Sequence, residues 1–309
     1  MGETLADRLR AGDRKVLGRT ISVAENGGER WQHLRELLPP PGNAAAVGFT
    51  GSAGSGKSTL IDAMIERLRL RDIKVGVAAI DPSSPFSGGA VLGDRCRMNR
   101  HQGDPGVYIR SLSARGSVGG LSAGAGRVID TLKRCHFDLI LVETVGAGQS
   151  EVDILGLADV CVVITTPNSG DDIQAIKSGI LEIADILVVN KADLAGADRT
   201  LQQLKMAQNL PSNASHRVPV MSTSATGGGG VDPLIDAILE LTSTAHCDRL
   251  GRGDLLQVRR RVAHAASSEL EQLMLDSGGK GLDLLCQMVL RGECSVEEAA
   301  RAWLDEKIL

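Results

Sequence analysis

The chain alternates short apolar runs with longer segments in which apolar residues recur every three or four positions. The short runs have the length of buried strands, and the longer segments have helical periodicity. Strands separated by helices are typical of a parallel sheet that is covered on both faces. We therefore predict an α/β fold with a mostly parallel sheet. The predicted strands are 45–49, 75–80, 138–142, 160–165, 186–190 and 218–222.

The two ends of the chain lack this alternation. Residues 1–42 have helical periodicity and end in a run of three prolines and a glycine, which must break a helix. Beyond about residue 249 there is no strand pattern, and apolar residues continue at helical spacing. We predict an N-terminal helical extension at 1–42, a central α/β domain at 43–245 and a C-terminal helical region at 246–309. The apolar stripe that either packs on the main domain or forms a homodimer consists of Leu255, Val258, Val262, Ala266, Leu270 and Leu273.

A glycine-rich loop follows the first predicted strand directly. Such a loop turns its N–H groups toward phosphate oxygens, and the helix after it adds the positive end of its dipole. Lys57 then reaches the β and γ phosphates, while the Ser58 hydroxyl ligates Mg²⁺. We predict a nucleoside triphosphate site here, the alternative being a glycine-rich turn that matches by chance. The residues of this site are Gly51, Ser52, Ala53, Gly54, Ser55, Gly56, Lys57, Ser58 and Thr59.

A second motif, Asn190-Lys191-Ala192-Asp193, ends the fifth predicted strand. The Asp193 carboxylate can accept hydrogen bonds from N1 and the exocyclic amine of guanine, and the Lys191 stem can pack along the base. A helix-capping sequence looks similar, but this motif lies where parallel sheets bind ligands. The sixth strand leads into Ser224 and Ala225, a loop whose backbone N–H is expected to touch the guanine oxygen. The three motifs in this order predict GTP or GDP rather than ATP.

Acidic residues follow two other predicted strands at the same edge. Glu143 comes after the third strand, in the position where most GTPases have an aspartate, and Gly146 offers its N–H to the γ-phosphate. Asp81 follows the second strand, and Asp94 lies in the segment after it. Magnesium takes one or two carboxylates together with phosphate and water, so not every acid needs to bind directly. We predict a metal site formed by Ser58, Asp81, Asp94 and Glu143, with helix capping as the alternative for Asp81.

Composition and charge disfavour several other classes of protein. The chain has 309 residues, 42% of them hydrophobic, and a formal net charge of −4. This charge gives no basic field for nucleic acid or for an anionic membrane. The six cysteines form no CxxC pair, and neither a signal sequence nor a long apolar span is apparent. We expect a cytoplasmic protein that binds neither nucleic acid nor membrane.

Taken together, these motifs resemble the MeaB family, also called ArgK. Its members are P-loop GTPases of the SIMIBI-like type that assist adenosylcobalamin-dependent acyl-CoA mutases such as methylmalonyl-CoA mutase. The resemblance extends over essentially the whole chain, with small departures at Ser52-Ala53 and at Ala147. Segments that match outside the phosphate loop and the base motif are 12–26, 81–84, 93–95, 143–151, 170–177 and 292–300.

The resemblance implies a chaperone that hydrolyses GTP to GDP, slowly alone and faster when the partner mutase docks. It implies that the protein gates the loading of adenosylcobalamin, which belongs to the mutase, and that it protects or reactivates the mutase. The adenosyltransferase of the mutase is a further expected partner. The resemblance also makes Lys177 a candidate catalytic cation beside Lys57, Glu143 and Gly146, although by spacing alone Lys177 is a solvated charge.

Two other functions compete with this one. A metal-delivery GTPase for nickel or cobalt shares the fold but needs soft ligands, and the pairs Cys135-His136 and His246-Cys247 lack a nearby ligand set. A kinase or ATPase that energises amino-acid transport is disfavoured by the base motif at 190–193 and by the lack of a membrane segment.

Overall fold

The computed structural model describes residues 3–81, 98–113, 123–144, 154–167, 184–208, 218–247 and 280–308, together with six residues between 262 and 274. The chain forms two compact units, Met1–Arg261 and Val262–Leu309. Elements are numbered in chain order through the described residues. The strands are β1 Ala45–Thr50, β2 Val75–Asp81, β3 Val107–Ser113, β4 Leu139–Glu143, β5 Val160–Thr165, β6 Ile186–Val189 and β7 Val220–Ser222. The helices are α1 Leu5–Arg10, α2 Arg14–Asn26, α3 Gly28–Leu37, α4 Lys57–Leu70, α5 Ala123–Lys133, α6 Ala197–Gln208, α7 Val231–Cys247, α8 Lys280–Leu290 and α9 Val296–Ile308.

The strands form one parallel sheet in the order β3-β2-β4-β1-β5-β6-β7. β1 lies near the middle, where Phe49 stands beside Glu143 of β4 on one side and Val162 of β5 on the other. The order of the strands reverses around β1, and open parallel sheets bind ligands at the carboxyl edge of such a point. The sheet confirms the predicted α/β fold.

Three aspartates fix the register of the sheet at its opposite, amino edge. Each precedes a strand, and its Oδ2 accepts a backbone N–H at the start of the neighbouring strand at 2.7 or 2.8 Å. The backbone N–H of each aspartate also donates to the carbonyl of the same partner. These paired bonds resist a slip of one residue, which would turn every side chain of a strand to the other face. The pairs are Asp138 with Lys74, Asp159 with Ala46, and Asp185 with Cys161.

The N-terminal helices share a core with one face of the sheet. Ile21 of α2 and Trp31 of α3 are buried in the same apolar cluster as the strand residues of that face. Arg127 of α5 donates to the carbonyl oxygens of Ala24 and Glu25, which satisfies acceptors at the end of α2. The N-terminal segment is therefore part of the first compact unit. The division into three parts that we expected from the sequence stays a prediction.

The opposite face of the sheet is covered by α4 and α7. Their inward residues are almost fully buried with the strand residues of that face, and this apolar contact is the main source of their stabilisation. Helix α7 continues to Cys247, beyond the apolar pattern that marks it in the sequence. The buried residues of the two helices are Leu60, Ile61, Met64, Ile65, Leu68, Val231, Leu234, Ile235 and Ile238.

The sequence prediction missed β3 and misplaced several strand ends by one or two residues. β3 is an edge strand in which Tyr108 and Arg110 interrupt the apolar run, so its signal is weaker than that of a central strand. β2 and β4 reach one residue further than expected, to Asp81 and Glu143. Both acids therefore end a strand rather than follow one.

Within the second unit, Ser295 begins α9 with a capping box. Its Oγ accepts the Glu298 N–H at 3.2 Å, and the Glu298 carboxylate accepts the Ser295 N–H at 2.8 Å. Of the predicted apolar stripe only Val262, Ala266 and Leu270 are among the described residues, so its role stays a prediction. Across the part of the chain that the structure describes, no helix combines the length and the apolar character needed to cross a membrane.

Candidate functional site

The loop between β1 and α4 has backbone angles that suit glycine at three positions. Gly51, Gly54 and Gly56 have φ values of 140°, 77° and 89°. A Cβ on Gly51 would lie 2.0 Å from the carbonyl oxygen of Ile164, because the loop passes directly over the end of β5. Positive φ values of this kind occur in anion-binding loops, so the backbone is compatible with the phosphate site that the sequence predicts.

Helix α4 begins at Lys57, so the positive end of its dipole lies at the loop. Lys57 Nζ donates to the carbonyl oxygens of Gly51 at 2.7 Å and Ser52 at 3.0 Å, and the residue is only 6% exposed. The ammonium group is therefore held over the loop instead of extending into solvent. Ala53 at the loop tip is exposed, and Thr59 in the first turn of the helix is half-buried.

The carboxylate of Glu143 lies beside the same turn of α4. Ser58 Oγ donates to Glu143 Oε1 at 2.5 Å, and both residues are buried. They are 85 positions apart and meet because β4 pairs with β1, with Glu143 opposite Phe49. Thr144 extends this pairing beyond the strand, since its hydroxyl donates to the Phe49 carbonyl at 3.3 Å and bonds to the Thr50 hydroxyl at 3.2 Å.

The oxygen atoms at this point fit a magnesium ion. A hydroxyl and a carboxylate are hard donors of the kind that Mg²⁺ prefers, and Ser58 and Glu143 place one of each next to the loop. β2 ends at Asp81 and lies directly beside β4, so its backbone reaches the same edge of the sheet. When bound with a nucleotide, Mg²⁺ neutralises phosphate charge. Ser58 and Glu143 are the described side chains that would hold it.

The base motif is fastened to the phosphate loop. Asn190 is 1% exposed, its Nδ2 donates to the Ser55 carbonyl at 2.9 Å, and its Oδ1 accepts from the Thr223 hydroxyl at 3.1 Å. Lys191 has a φ of 58°, which is uncommon outside glycine, and its Nζ donates to the Gly54 carbonyl at 2.8 Å. The two motifs are thus joined by hydrogen bonds. Neither sequence motif alone predicts this contact.

Asp193 and Ser224 stand together at the exposed end of the site. Ser224 Oγ donates to Asp193 Oδ1 at 2.5 Å, and this bond holds the pKa of the Asp193 carboxyl below its ordinary value. The Ser224 N–H donates to the Gly229 carbonyl at 2.8 Å. The Ser224 N–H is thus engaged within the loop, and the backbone contact to guanine expected from the sequence stays a prediction for Ala225.

Several predicted site residues lie outside the described residues. They are Asp94, Gly146 and Lys177, and the side chain of Asp81 also lies outside them. The described members converge on one edge of the sheet, at the carboxyl ends of β1, β4, β6 and β7. Their convergence provides a cation, an oxygen pair for a metal and an anionic base acceptor in one crevice.

Comparison with known proteins places this crevice in a family. A family model described as "Methylmalonyl Co-A mutase-associated GTPase MeaB" matches residues 17–277. A putative GTPase of Pyrococcus abyssi (strain GE5 / Orsay) is 47% identical over 266 residues, which cover 84% of this chain and 81% of that protein. A fused isobutyryl-CoA mutase of Cupriavidus metallidurans is 36% identical over 233 residues, which cover 72% of this chain and 21% of that protein.

A solved structure shares the fold of nearly the whole chain. The crystal structure of a LAO/AO transport system kinase has a TM-score of 0.66 and 25% sequence identity, with 98% of this chain and 96% of that chain covered. With the parallel sheet, the loop after β1 and the relatives named as GTPases, the chain is a P-loop GTPase. Guanine nucleotides are accordingly its ligands.

Proposed function

The chain belongs to the MeaB family of methylmalonyl-CoA mutase-associated GTPases, and we propose that it is the accessory GTPase of an adenosylcobalamin-dependent acyl-CoA mutase. In this role it gates the loading of adenosylcobalamin into methylmalonyl-CoA mutase or a close relative, and it protects or reactivates that enzyme. The observation that carries the proposal is the relative named as a fused isobutyryl-CoA mutase, of which the match covers only 21%. In that protein a segment similar to this GTPase is part of a chain named as a mutase.

The described residues divide the work of GTP hydrolysis among them. Lys57 supplies a fixed positive charge for the β and γ phosphates, and Ser58 with Glu143 holds Mg²⁺ next to them. Asp193 accepts from guanine, while Asn190 and Lys191 keep the base end at a set distance from the phosphate loop.

The proposal is tested by the turnover of GTP with and without purified methylmalonyl-CoA mutase or isobutyryl-CoA mutase. We expect slow hydrolysis by the chain alone and a faster rate when its mutase is added. The Lys57→Ala variant serves as the control for contaminating GTPases. Absence of stimulation by every acyl-CoA mutase tested, together with GTP-dependent transfer of nickel or cobalt, would favour the metal-delivery function instead.

Lys177 and Gly146 are proposed to act in the stimulated reaction. Apart from Lys57, the phosphate loop contains no cation, so an additional positive group must act on the γ-phosphate for fast hydrolysis. Electrostatic stabilisation of this kind is typically worth about 3 kcal/mol, or about a hundredfold in rate. Lys177→Ala should therefore spare the basal rate and lower the stimulated one, and equal stimulation of variant and parent would remove Lys177 from the mechanism.

A homodimer formed through residues after about 249 is also part of the proposal. Its basis is the apolar stripe from Leu255 to Leu273. A chain truncated before this stripe should be a monomer in light scattering and should still bind GDP. A truncated chain that remains dimeric would place the interface elsewhere. We further propose a cytoplasmic location and contact with the adenosyltransferase of the mutase.

The metal-delivery alternative receives no support from Cys135 and His136. Burial raises the pKa of the Cys135 thiol to about 12, and its Sγ donates to the Thr131 carbonyl, whereas a metal binds the thiolate. No group of three histidine, cysteine or acidic residues suited to a metal ion occurs among the described residues.

A further inference from the structure

The C-terminal end of α4 is linked to the first two turns of α7 by four charged residues. They are Arg67 in α4, Arg71 directly after it, and Asp232 and Asp236 in α7, and we call them the α4–α7 network. Arg71 pairs with Asp232 at 2.9 Å through Nη2 and with Asp236 through Nη1. The two aspartates are one helical turn apart, so the planar guanidinium spans both. The hydrogen bonds to Asp236 and Asp232 raise the pKa of Arg71. Arg67 adds a longer contact to Asp232 at 3.9 Å.

The first turn of α7 continues directly from the loop that reaches the base end of the site. Gly230 has a φ of 73°, and a Cβ there would lie 2.0 Å from the Ser222 carbonyl oxygen, so the start of the helix is pressed against the end of β7. Ser224, which bonds to Asp193, donates its own N–H to the Gly229 carbonyl. The start of α7 is thus linked through Gly229 and Ser224 to the Asp193 carboxylate.

Helix α4 carries the phosphate-binding residues at its other end. It has 14 residues and begins with Lys57 and Ser58, so the α4–α7 network lies about 20 Å from the phosphate loop along the helix axis. The base end and the phosphate end are consequently joined by two routes. One is direct, through Asn190 and Lys191, and the other runs through α4, the network and the first turn of α7.

We propose that the α4–α7 network positions the guanine-binding loop and thereby sets the affinity and the base selectivity of the site. Apolar packing between α4 and α7 supplies most of the stabilisation, but it has no direction and tolerates small shifts along the helices. The hydrogen bonds of a guanidinium to two carboxylates are directional, so they fix the position of one helix along the other. Exposed ion pairs contribute little to global stability, so variants of the network should remain folded and their nucleotide binding can be measured. The proposal rests on guanine recognition by Asp193 and not on the mutase partner.

The test compares the affinities for GDP and IDP. Inosine lacks the exocyclic amine whose hydrogen bond the Asp193 carboxylate accepts from guanine. Arg71→Met keeps the aliphatic stem and removes both ion pairs, and Arg71→Lys keeps the charge but cannot span both carboxylates. In calorimetry we expect Arg71→Met to lower the affinity for GDP about five- to tenfold. The ratio of the affinities for GDP and IDP should also become smaller. Arg71→Lys should fall between Arg71→Met and the parent. The KM for GTP should rise with Arg71→Met while kcat at saturating GTP stays within about twofold, a split that a general loosening of the fold does not produce.

The matched control is Arg100→Met. Arg100 pairs with Asp62 and Glu66 on the same helix, but it joins α4 to residues 99–101 instead of α7, and its side chain is 50% exposed against 33% for Arg71. This variant should leave GDP affinity within twofold of the parent. An equal loss of GDP affinity in both variants would attribute the effect to α4 in general, and unchanged GDP affinity in Arg71→Met would overturn the proposal. Should Arg71→Met fold poorly, Asp236→Asn removes one branch of the network at a more exposed position.

Discussion

The phosphate end of the nucleotide site takes its shape from the backbone, whereas the base end takes its shape from side chains. Gly51 and Gly56 have φ values of 140° and 89°, and in loops of this kind the groups that bind phosphate are mainly N–H groups of the main chain. At the base end, side-chain bonds join Asn190 to Thr223 and Asp193 to Ser224. A backbone site recognises any phosphate, while a site made of side chains distinguishes one base from another. Substitutions at the phosphate end should therefore change affinity, and those at the base end should change selectivity.

The largest effect is expected from Lys57→Ala, which removes the one side-chain charge that the described phosphate loop provides. Hydrogen bonds to charged groups are worth about 1.5–3 kcal/mol each, so the loss of contacts to two phosphates should weaken GTP by about a hundred- to ten-thousandfold. Lys191→Ala is the control, because its ammonium group also bonds to a loop carbonyl but stands at the base end. Calorimetric titration with GTP measures both, and an equal loss in the two variants would contradict the division between the ends.

The second effect separates metal chemistry from phosphate binding. Glu143→Ala removes the carboxylate beside Ser58 and should lower the magnesium-dependent rate of GTP hydrolysis about a hundredfold, or about 2.7 kcal/mol in the barrier. GTP binding should stay within about tenfold, since Lys57 and the loop remain. Glu143→Gln keeps an acceptor for Ser58 without the charge, so it shows which property matters. Hydrolysis by Glu143→Ala at the parental rate, with the mutase present, would exclude the assigned role.

The contrast between the two ends also explains what sequence could predict. The phosphate loop and the base motif are contiguous stretches whose residue pattern follows from local chemistry, so both can be predicted without knowledge of the fold. Contacts between distant segments leave no such trace, since Ser58 meets Glu143 across 85 positions and Asn190 meets Ser55 across 135. Asn190 was expected at the base end, but its bond to the phosphate loop became visible only when β6 was placed in the sheet.

The fold shows the same limit at its edges. Central strands are continuous apolar runs and can be predicted from the order of apolar positions, whereas in the edge strand β3 Tyr108 and Arg110 interrupt that run and the strand was missed. The two ion pairs of Arg71, with Asp232 and Asp236, could likewise not be predicted from the sequence, because charged residues on a helix are usually solvated. Asp94, Gly146 and Lys177 lie outside the described residues, so their roles stay predictions.

A third prediction sharpens the base end. Asp193→Asn replaces an acceptor of two guanine hydrogen bonds by an amide, and it should shift the preference of the site toward xanthosine nucleotides. The loss of pairing to a charged group should weaken GTP by roughly ten- to a hundredfold. Ligands that present only phosphates, such as inorganic tripolyphosphate, should be affected less than twofold. Calorimetry with GTP, XTP and ATP checks this, and equal affinity of the parent for ATP and GTP would refute the assignment of the base motif.

The smallest effect concerns the hydroxyl of Ser224, whose bond to Asp193 holds the pKa of that carboxyl below its ordinary value. Guanine binding needs the ionised carboxylate, so GDP affinity is present above the pKa of Asp193 and is lost as the pH falls through it. Ser224→Ala removes the largest cause of the lowering, and the pKa of Asp193 should rise toward the ordinary range. At pH 7 the carboxylate stays ionised in both proteins, and GDP affinity should differ by no more than about threefold, the value of one modest hydrogen bond.

The measurement is the dissociation constant of GDP between about pH 3 and pH 7, a range that includes the ordinary aspartate pKa of about 3.9. In Ser224→Ala the acid limb of this profile should begin at a higher pH than in the parent. Thr223→Val is the matched control, because the Thr223 hydroxyl bonds to Asn190 and not to Asp193. The control should retain the parental profile even if its affinity is lower throughout. An equal shift of the acid limb in both variants would mean that a group other than Asp193 titrates. The proposal that the Asp193 carboxylate recognises guanine would then be contradicted.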